Sequence, residues 1–165
     1  MELENIIFIR HAHAGKRERW FGDDSLRPLS AKGNLQANKI GKKFKDVAPL
    51  LIFSSPKTRC TETVGVLSQN SSQPINILDS LNENGSFESS LKFALEQKIK
   101  TVILSTHGDT MYDLSKYLNK NKLSKKEVKN FEVPKAGYWW IKIKKGKSKS
   151  AKLFKIEKDK LLVME

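Results

Sequence analysis

Apolar residues along this chain fall into two kinds of run. Short continuous stretches at Ile6–Ile9, Leu50–Phe53 and Thr101–Ser105 read as strands buried on both faces, with Pro74–Leu78 as a shorter candidate. Between them apolar positions recur at helical spacing. Leu35 or Ala37, Ile40, Phe44 and Val47 follow a capping Ser30 and predict a helix to about Asp46. Ser54-Ser55-Pro56 predicts a helix start, with the helix continuing to about Ser68. Phe87, Leu91, Ala94 and Leu95 predict a helix over 87–97, and Met111, Leu114 and Leu118 one over 110–119. Strands alternating with helices imply an α/β class, a layered α/β/α arrangement on a mostly parallel sheet.

The pattern changes after residue 120. Lysine-rich residues 120–130 read as a connecting loop or a frayed helix, and Gly137–Lys144 alternates with period two, placing Trp139, Ile141 and Ile143 on one face of a strand. Lys145–Ser150 then reads as a turn, Ala151–Glu157 as the strand pairing back in a hairpin that extends one sheet edge, and Leu161–Val163 as a last short strand. Lys16–Ser30 is expected to be an irregular loop anchored by Trp20 and Phe21. A length of 165 residues with no internal repeat suits one domain spanning 1–165.

Charge sharpens this picture. The formal net charge of +13 is uneven: residues 1–115 carry a net +2, whereas residues 116–165 hold 16 lysines against 5 acids. The five arginines, at 10, 17, 19, 27 and 59, all lie in the first 59 residues of a chain that otherwise uses lysine. A rigid guanidinium fork grips an oxyanion through paired hydrogen bonds, so arginines held near strand ends suggest an oxyanion site. The single cysteine, Cys60, excludes an intramolecular disulfide framework and a cysteine zinc cluster, and reads as helix packing. With no long apolar run and an acidic opening Met1–Asn5, the expectation is a cytoplasmic protein that does not engage membranes.

Three strands deliver reactive side chains toward what should be one sheet rim: Arg10 and His11 after the first, Arg59 in the helix after the second, and His107 after the fourth. Two guanidiniums and two imidazoles can surround a phosphoryl group while one imidazole attacks phosphorus. These residues resemble the histidine phosphatase superfamily, through Ile9-Arg10-His11-Ala12, Ser55-Pro56-Lys57-Thr58-Arg59-Cys60-Thr61-Glu62-Thr63 and Ser105-Thr106-His107. Short loops and Arg27-Pro28-Leu29-Ser30-x-x-Gly33 look most like its SixA-type phosphohistidine phosphatases.

The resemblance implies a phosphoglycerate mutase-like fold, with His11 as the transiently phosphorylated nucleophile. Arg10, Arg59 and His107 would hold the phosphoryl oxygens and Arg27 would reach in from the loop, with no metal and no cofactor. It implies a phosphohistidine-bearing phosphotransfer protein as substrate and partner. Glu83 is the candidate general acid, although Ser80 could occupy that position instead, and phosphohistidine needs an acid less because imidazole leaves more readily than an alkoxide. Ala12 stands where the superfamily often has glycine, and His13 is expected to be partly exposed and outside the chemistry.

Three rivals compete with this reading. A small-molecule phosphomonoesterase would need Glu83 as a working acid. A polyanion-binding module could use the lysine-rich C-terminal third, but few aromatic residues interleave those lysines, which argues against nucleic acid and leaves an acidic partner surface. Metal binding by His11-x-His13 would rest on two imidazoles alone.

Overall fold

The computed structural model describes residues 1–125, 128–157 and 160–163. Its strands are β1 (Asn5–Arg10), β2 (Leu50–Ser54), β3 (Ile75–Ile77), β4 (Thr101–Thr106), β5 (Tyr138–Lys144), β6 (Lys147–Glu157) and β7 (Lys160–Val163). Its helices are α1 (Ala31–Lys43), α2 (Thr58–Thr63), α3 (Gly65–Ser71), α4 (Phe87–Leu95) and α5 (Gly108–Lys120). One sheet runs in the order β3-β2-β4-β1-β5-β6-β7. The first four strands are mutually parallel, and β5, β6 and β7 add on antiparallel.

Ile6, Ile7, Phe8 and Ile9 are fully buried because both sheet faces are covered. Ile6 and Phe8 join Phe87, Leu91, Met111 and Leu114 of α4 and α5, while Ile7 and Ile9 join Ala37, Ile40 and Leu67 of α1 and α3. The α/β/α layering expected from the alternation is therefore present. Since β4 lies between β2 and β1 and all three run parallel, their carboxyl ends meet at one rim.

Several boundaries differ from the expectation, each for a local reason. The helix after β2 starts at Thr58, because Ser55 N–H donates to the Ser105 carbonyl at 3.0 Å and so prolongs the β2–β4 ladder. It breaks at Val64, where the Thr63 hydroxyl donates back to the Arg59 carbonyl at 2.6 Å and Gly65 follows. Lys145 and Gly146 alone make the hairpin turn, both at positive φ, so Lys147–Ser150 pairs as strand rather than forming a loop. Within 120–130, Ser124 bridges Ala151 and a 3-10 turn spans Lys129–Phe131, while residues 126 and 127 lie outside the described residues. In the 16–30 loop Phe21 is 95% exposed and anchors nothing; two 3-10 turns, Arg17–Arg19 and Asp24–Leu26, organise the segment instead. Leu35 points outward and Ala37 takes the core position.

No helix among the described residues is long and apolar enough to cross a membrane.

Candidate active site

A cleft of about 880 Å³ opens at the rim where β1, β4 and β2 end, and Arg10, His11, Arg27, Arg59, Glu83 and His107 all line it. Each arrives from a different local device. Arg10 is the last residue of β1 and His11 follows it, with the His11 N–H donating to the Thr106 carbonyl at 2.9 Å. His107 immediately precedes α5, and Arg59 sits in the first turn of α2.

His11 is 7% exposed, and its Nδ1 lies 2.8 Å from the Ala12 carbonyl oxygen. A carbonyl only accepts, so Nδ1 carries the proton and Nε2 keeps its lone pair. Burial pulls the His11 pKa down to about 3; the Ala12 hydrogen bond opposes this, and His107, Arg59 and Arg10 add to it. The ring is therefore neutral at physiological pH. The His107 ring meets it edge-on at 5.5 Å between centroids. Its Nε2 lies 2.8 Å from Ser55 Oγ and its Nδ1 3.9 Å from Glu83 Oε1. Burial likewise lowers the His107 pKa, to about 4, against the charge of Glu83.

Two carboxylates organise the guanidiniums. Asp24 Oδ1 lies 3.0 Å from Arg27 Nε and 3.3 Å from Arg17 Nε, while Oδ2 lies 3.2 Å from Arg59 Nη2. The Asp24 carbonyl also accepts from Arg59 Nη1 at 2.9 Å, so one residue fixes the Arg59 fork at two points. Burial pushes the Asp24 pKa up, but the Arg27 hydrogen bond and the charges of Arg59 and Arg17 outweigh it and hold the carboxyl below its ordinary value. Glu83 Oε1 pairs with Arg59 Nη2, and Oε2 accepts from Arg17 Nη2 at 3.1 Å. Arg10 donates from Nη1 to the Val133 carbonyl at 2.7 Å, while its buried Nε and that of Arg59 have no hydrogen-bond partner among the described residues. Burial lowers the Arg10 pKa, opposed by Glu132 and Asp109.

The remaining candidates separate clearly. Arg27 lines the cleft, yet its Nη1 holds the Ala14 carbonyl at 2.8 Å, so it also braces the loop it was expected to reach from. Ser80 bonds Ser90 at 2.7 Å and is not among the residues lining the cleft, whereas Glu83 is. His13 Nδ1 lies 2.6 Å from Ser30 Oγ in a neighbouring cavity, so His11 and His13 do not face a common point. Cys60 is fully buried, and burial pushes its thiol up to about 12, keeping it protonated and unreactive. Asp24 is the residue a reading of the sequence overlooks, and Arg17 is marked there only as one of five early arginines. The only signal for them is the clustering of arginines early in the chain.

The model of the histidine phosphatase superfamily (branch 1) matches residues 6–101. Over 75 residues the chain is 29% identical to an 8-oxo-(d)GTP phosphatase of Mycolicibacterium smegmatis; this is 46% of the chain and spans only 23% of that protein's length. A structure assigned as the phosphohistidine phosphatase SixA of Agrobacterium tumefaciens superposes with a TM-score of 0.69 at 22% identity, covering 86% of this chain and 93% of that one. YhfR of Bacillus stearothermophilus gives 0.67 at 16% identity, covering 87% and 93%. A mycobacterial glucosyl-3-phosphoglycerate phosphatase gives 0.61 at 16%, covering 84% and 89%. These likenesses establish a shared fold.

Proposed function

The chain belongs to the histidine phosphatase superfamily, and from that premise we propose that it removes phosphate from phosphohistidine on a protein through a covalent intermediate at His11. The observation that carries this reading is the Nδ1–H of His11 held on the Ala12 carbonyl, which leaves a neutral Nε2 lone pair inside a cleft lined by Arg10, Arg59 and His107. Nε2 attacks phosphorus as the substrate's P–N bond breaks, and the departing imidazole takes a proton from water. Water then attacks phosphorus, the His11 Nε2–P bond breaks, and inorganic phosphate leaves. Arg10, Arg59 and His107 stabilise the charge on the transferring phosphoryl oxygens, with no metal required.

Phosphohistidine is favoured over an ester because both oxygens of Glu83 accept from guanidiniums, so neither is presented to an alkoxide as a proton donor. One observation favours the small-molecule phosphomonoesterase instead: Glu83 stands on the cleft wall beside Arg59, where an incoming phosphate would compete for that guanidinium and release the carboxyl.

The test pairs a phosphohistidine-bearing phosphotransfer protein with a panel of small phosphate esters. The wild type should release phosphate from the protein and carry an acid-labile, alkali-stable label, and His11→Ala should do neither. Glu83→Gln should spare P–N cleavage; loss of ester turnover in that variant, with no activity of the wild type on the protein, would establish the ester reading instead. Activity undiminished by a chelator would support the absence of a metal, and activity lost to it would overturn that part.

A further inference from the structure

His11 owes its reactive tautomer to the Ala12 carbonyl, and that carbonyl belongs to a peptide unit with its own partner. The segment from His11 to His13 forms no helix or strand, and Ala12 is fully buried, so its backbone groups need individual partners. Each one has one. The His11 N–H goes to the Thr106 carbonyl, and the His11 carbonyl accepts from Ala136 N–H at 3.2 Å. The Ala12 N–H donates to Thr63 Oγ1 at 2.8 Å, and the Ala12 carbonyl takes the His11 Nδ1 proton. The His13 N–H donates to Gln36 Oε1 at 2.9 Å, and the His13 carbonyl accepts from Ser30 N–H at 3.0 Å.

The Ala12–His13 peptide unit is thus hydrogen-bonded at both ends, its oxygen to the catalytic imidazole and its N–H to Gln36. Hydrogen bonds in line through one peptide polarise each other, so an acceptor on the N–H side makes the carbonyl a stronger acceptor on the other. Gln36 projects from α1, and α1 is seated against this segment closely enough that a Cβ on Gly33 would meet the His13 carbonyl oxygen at 1.9 Å. The helix therefore fixes where the Gln36 amide oxygen stands.

We propose that Gln36 is a positioning residue for the nucleophile: by accepting the His13 N–H it orients and polarises the Ala12–His13 peptide, which holds His11 in the tautomer with a bare Nε2. The proposal rests on His11 being the nucleophile. Gln36 touches neither substrate nor imidazole, and acts only through that peptide. Without an acceptor at position 36 the His13 N–H loses its partner, the peptide is free to tilt, and the ring gains access to the tautomer that carries its proton on Nε2 and cannot attack.

The experiment is ¹⁵N NMR of histidine-labelled protein, with His11 assigned by its loss in His11→Asn, alongside hydrolysis of phosphoramidate as a P–N substrate that needs no protein partner. Wild type should show His11 protonated on Nδ1. Gln36→Leu, and Gln36→Met as a second variant of similar size, should show Nε2-protonated ring and a kcat lower by about ten- to a hundredfold, the range that loss of a tautomer-holding partner costs at metal sites. Inhibition by inorganic phosphate should not change, because Arg10, Arg59 and His107 are untouched. Gln36→Glu, which keeps an acceptor oxygen, should retain tautomer and rate. A His11 that stays on Nδ1 in both Leu and Met variants, or a Glu variant as impaired as they are, overturns the proposal. Failure of the wild type to hydrolyse phosphoramidate would count against the phosphatase reading, while the tautomer shift would still decide the role of Gln36.

Discussion

Two buried histidines with lowered pKa values make opposite demands on activity and stability as pH falls. His11 remains neutral down to about 3 and His107 down to about 4, against an ordinary 6.5. Phosphorylation of His11 should therefore show no acid limb near pH 6.5; single-turnover labelling between about pH 5 and pH 8 should be flat in the His11 contribution, and a fall centred at the ordinary histidine value would contradict the burial argument. Stability behaves differently. Below 6.5 the unfolded chain binds protons that the folded one refuses, so stability is complete above 6.5 and declines toward 3–4, by up to about 1.4 kcal/mol per pH unit for each histidine. Denaturant midpoints in that window should rise in His11→Asn relative to wild type as pH drops. At this scale the sequence revealed residue types at strand ends, since Arg10, His11 and His107 follow directly from where apolar runs stop, and Arg59 from the helix start signal after the second run. It concealed Asp24, which reads as one of two aspartates in a turn. Its function as a joint between Arg17, Arg27 and Arg59 exists only once the 16–30 loop and α2 are folded together.

Two glycines show how elements, rather than side chains, set the site. A Cβ on Gly33 would lie 1.9 Å from the His13 backbone oxygen, which cannot yield without moving α1 or the segment that follows His11. A Cβ on Gly108 would lie 2.8 Å from the Arg10 guanidinium carbon, which can yield by rotating. Gly33→Ala should therefore cost about 3 kcal/mol or more of stability, at the upper end of overpacking costs, and lower the melting temperature sharply. Gly108→Ala should melt close to wild type but lose roughly tenfold in kcat/KM, the worth of about one charged hydrogen bond. Equal melting losses in the two would refute the distinction. Helix α1 was legible from Ser30 and its apolar spacing, and the cap holds, with Ser30 Oγ accepting from Gly33 N–H at 3.1 Å. The break between α2 and α3 was not, because it depends on a threonine hydroxyl returning to a carbonyl one turn earlier, and that leaves no trace in hydrophobic periodicity.

Across the whole molecule, four lysines of the C-terminal surplus lie at the opposite end of the sheet from the cleft. β5 runs antiparallel to β1, so Tyr138 pairs with Ile9 near the cleft rim while Lys142 pairs with Asn5 at the far end. Lys144, Lys145, Lys147 and Lys149 are exposed beyond that point, around the β5–β6 turn. Six residues separate Asn5 from His11, roughly 20 Å at about 3.3 Å per residue. That is more than twice the ~8 Å over which charge is felt at physiological salt. At that distance these four lysines are screened from a phosphate in the cleft, whereas Lys135 stands on the cleft wall, its pKa lowered by burial and by Arg10 and Arg27. Replacing the four by glutamine should leave kcat/KM for phosphoramidate at about 0.15 M salt within twofold of wild type, the screened limit for charges so distant. Lys135→Gln alone should raise KM severalfold, as loss of a cation beside a phosphate does. An equal effect from the distant set would mean that the positive field acts over the whole fold and that the arginine-lined cleft is not its own electrostatic unit.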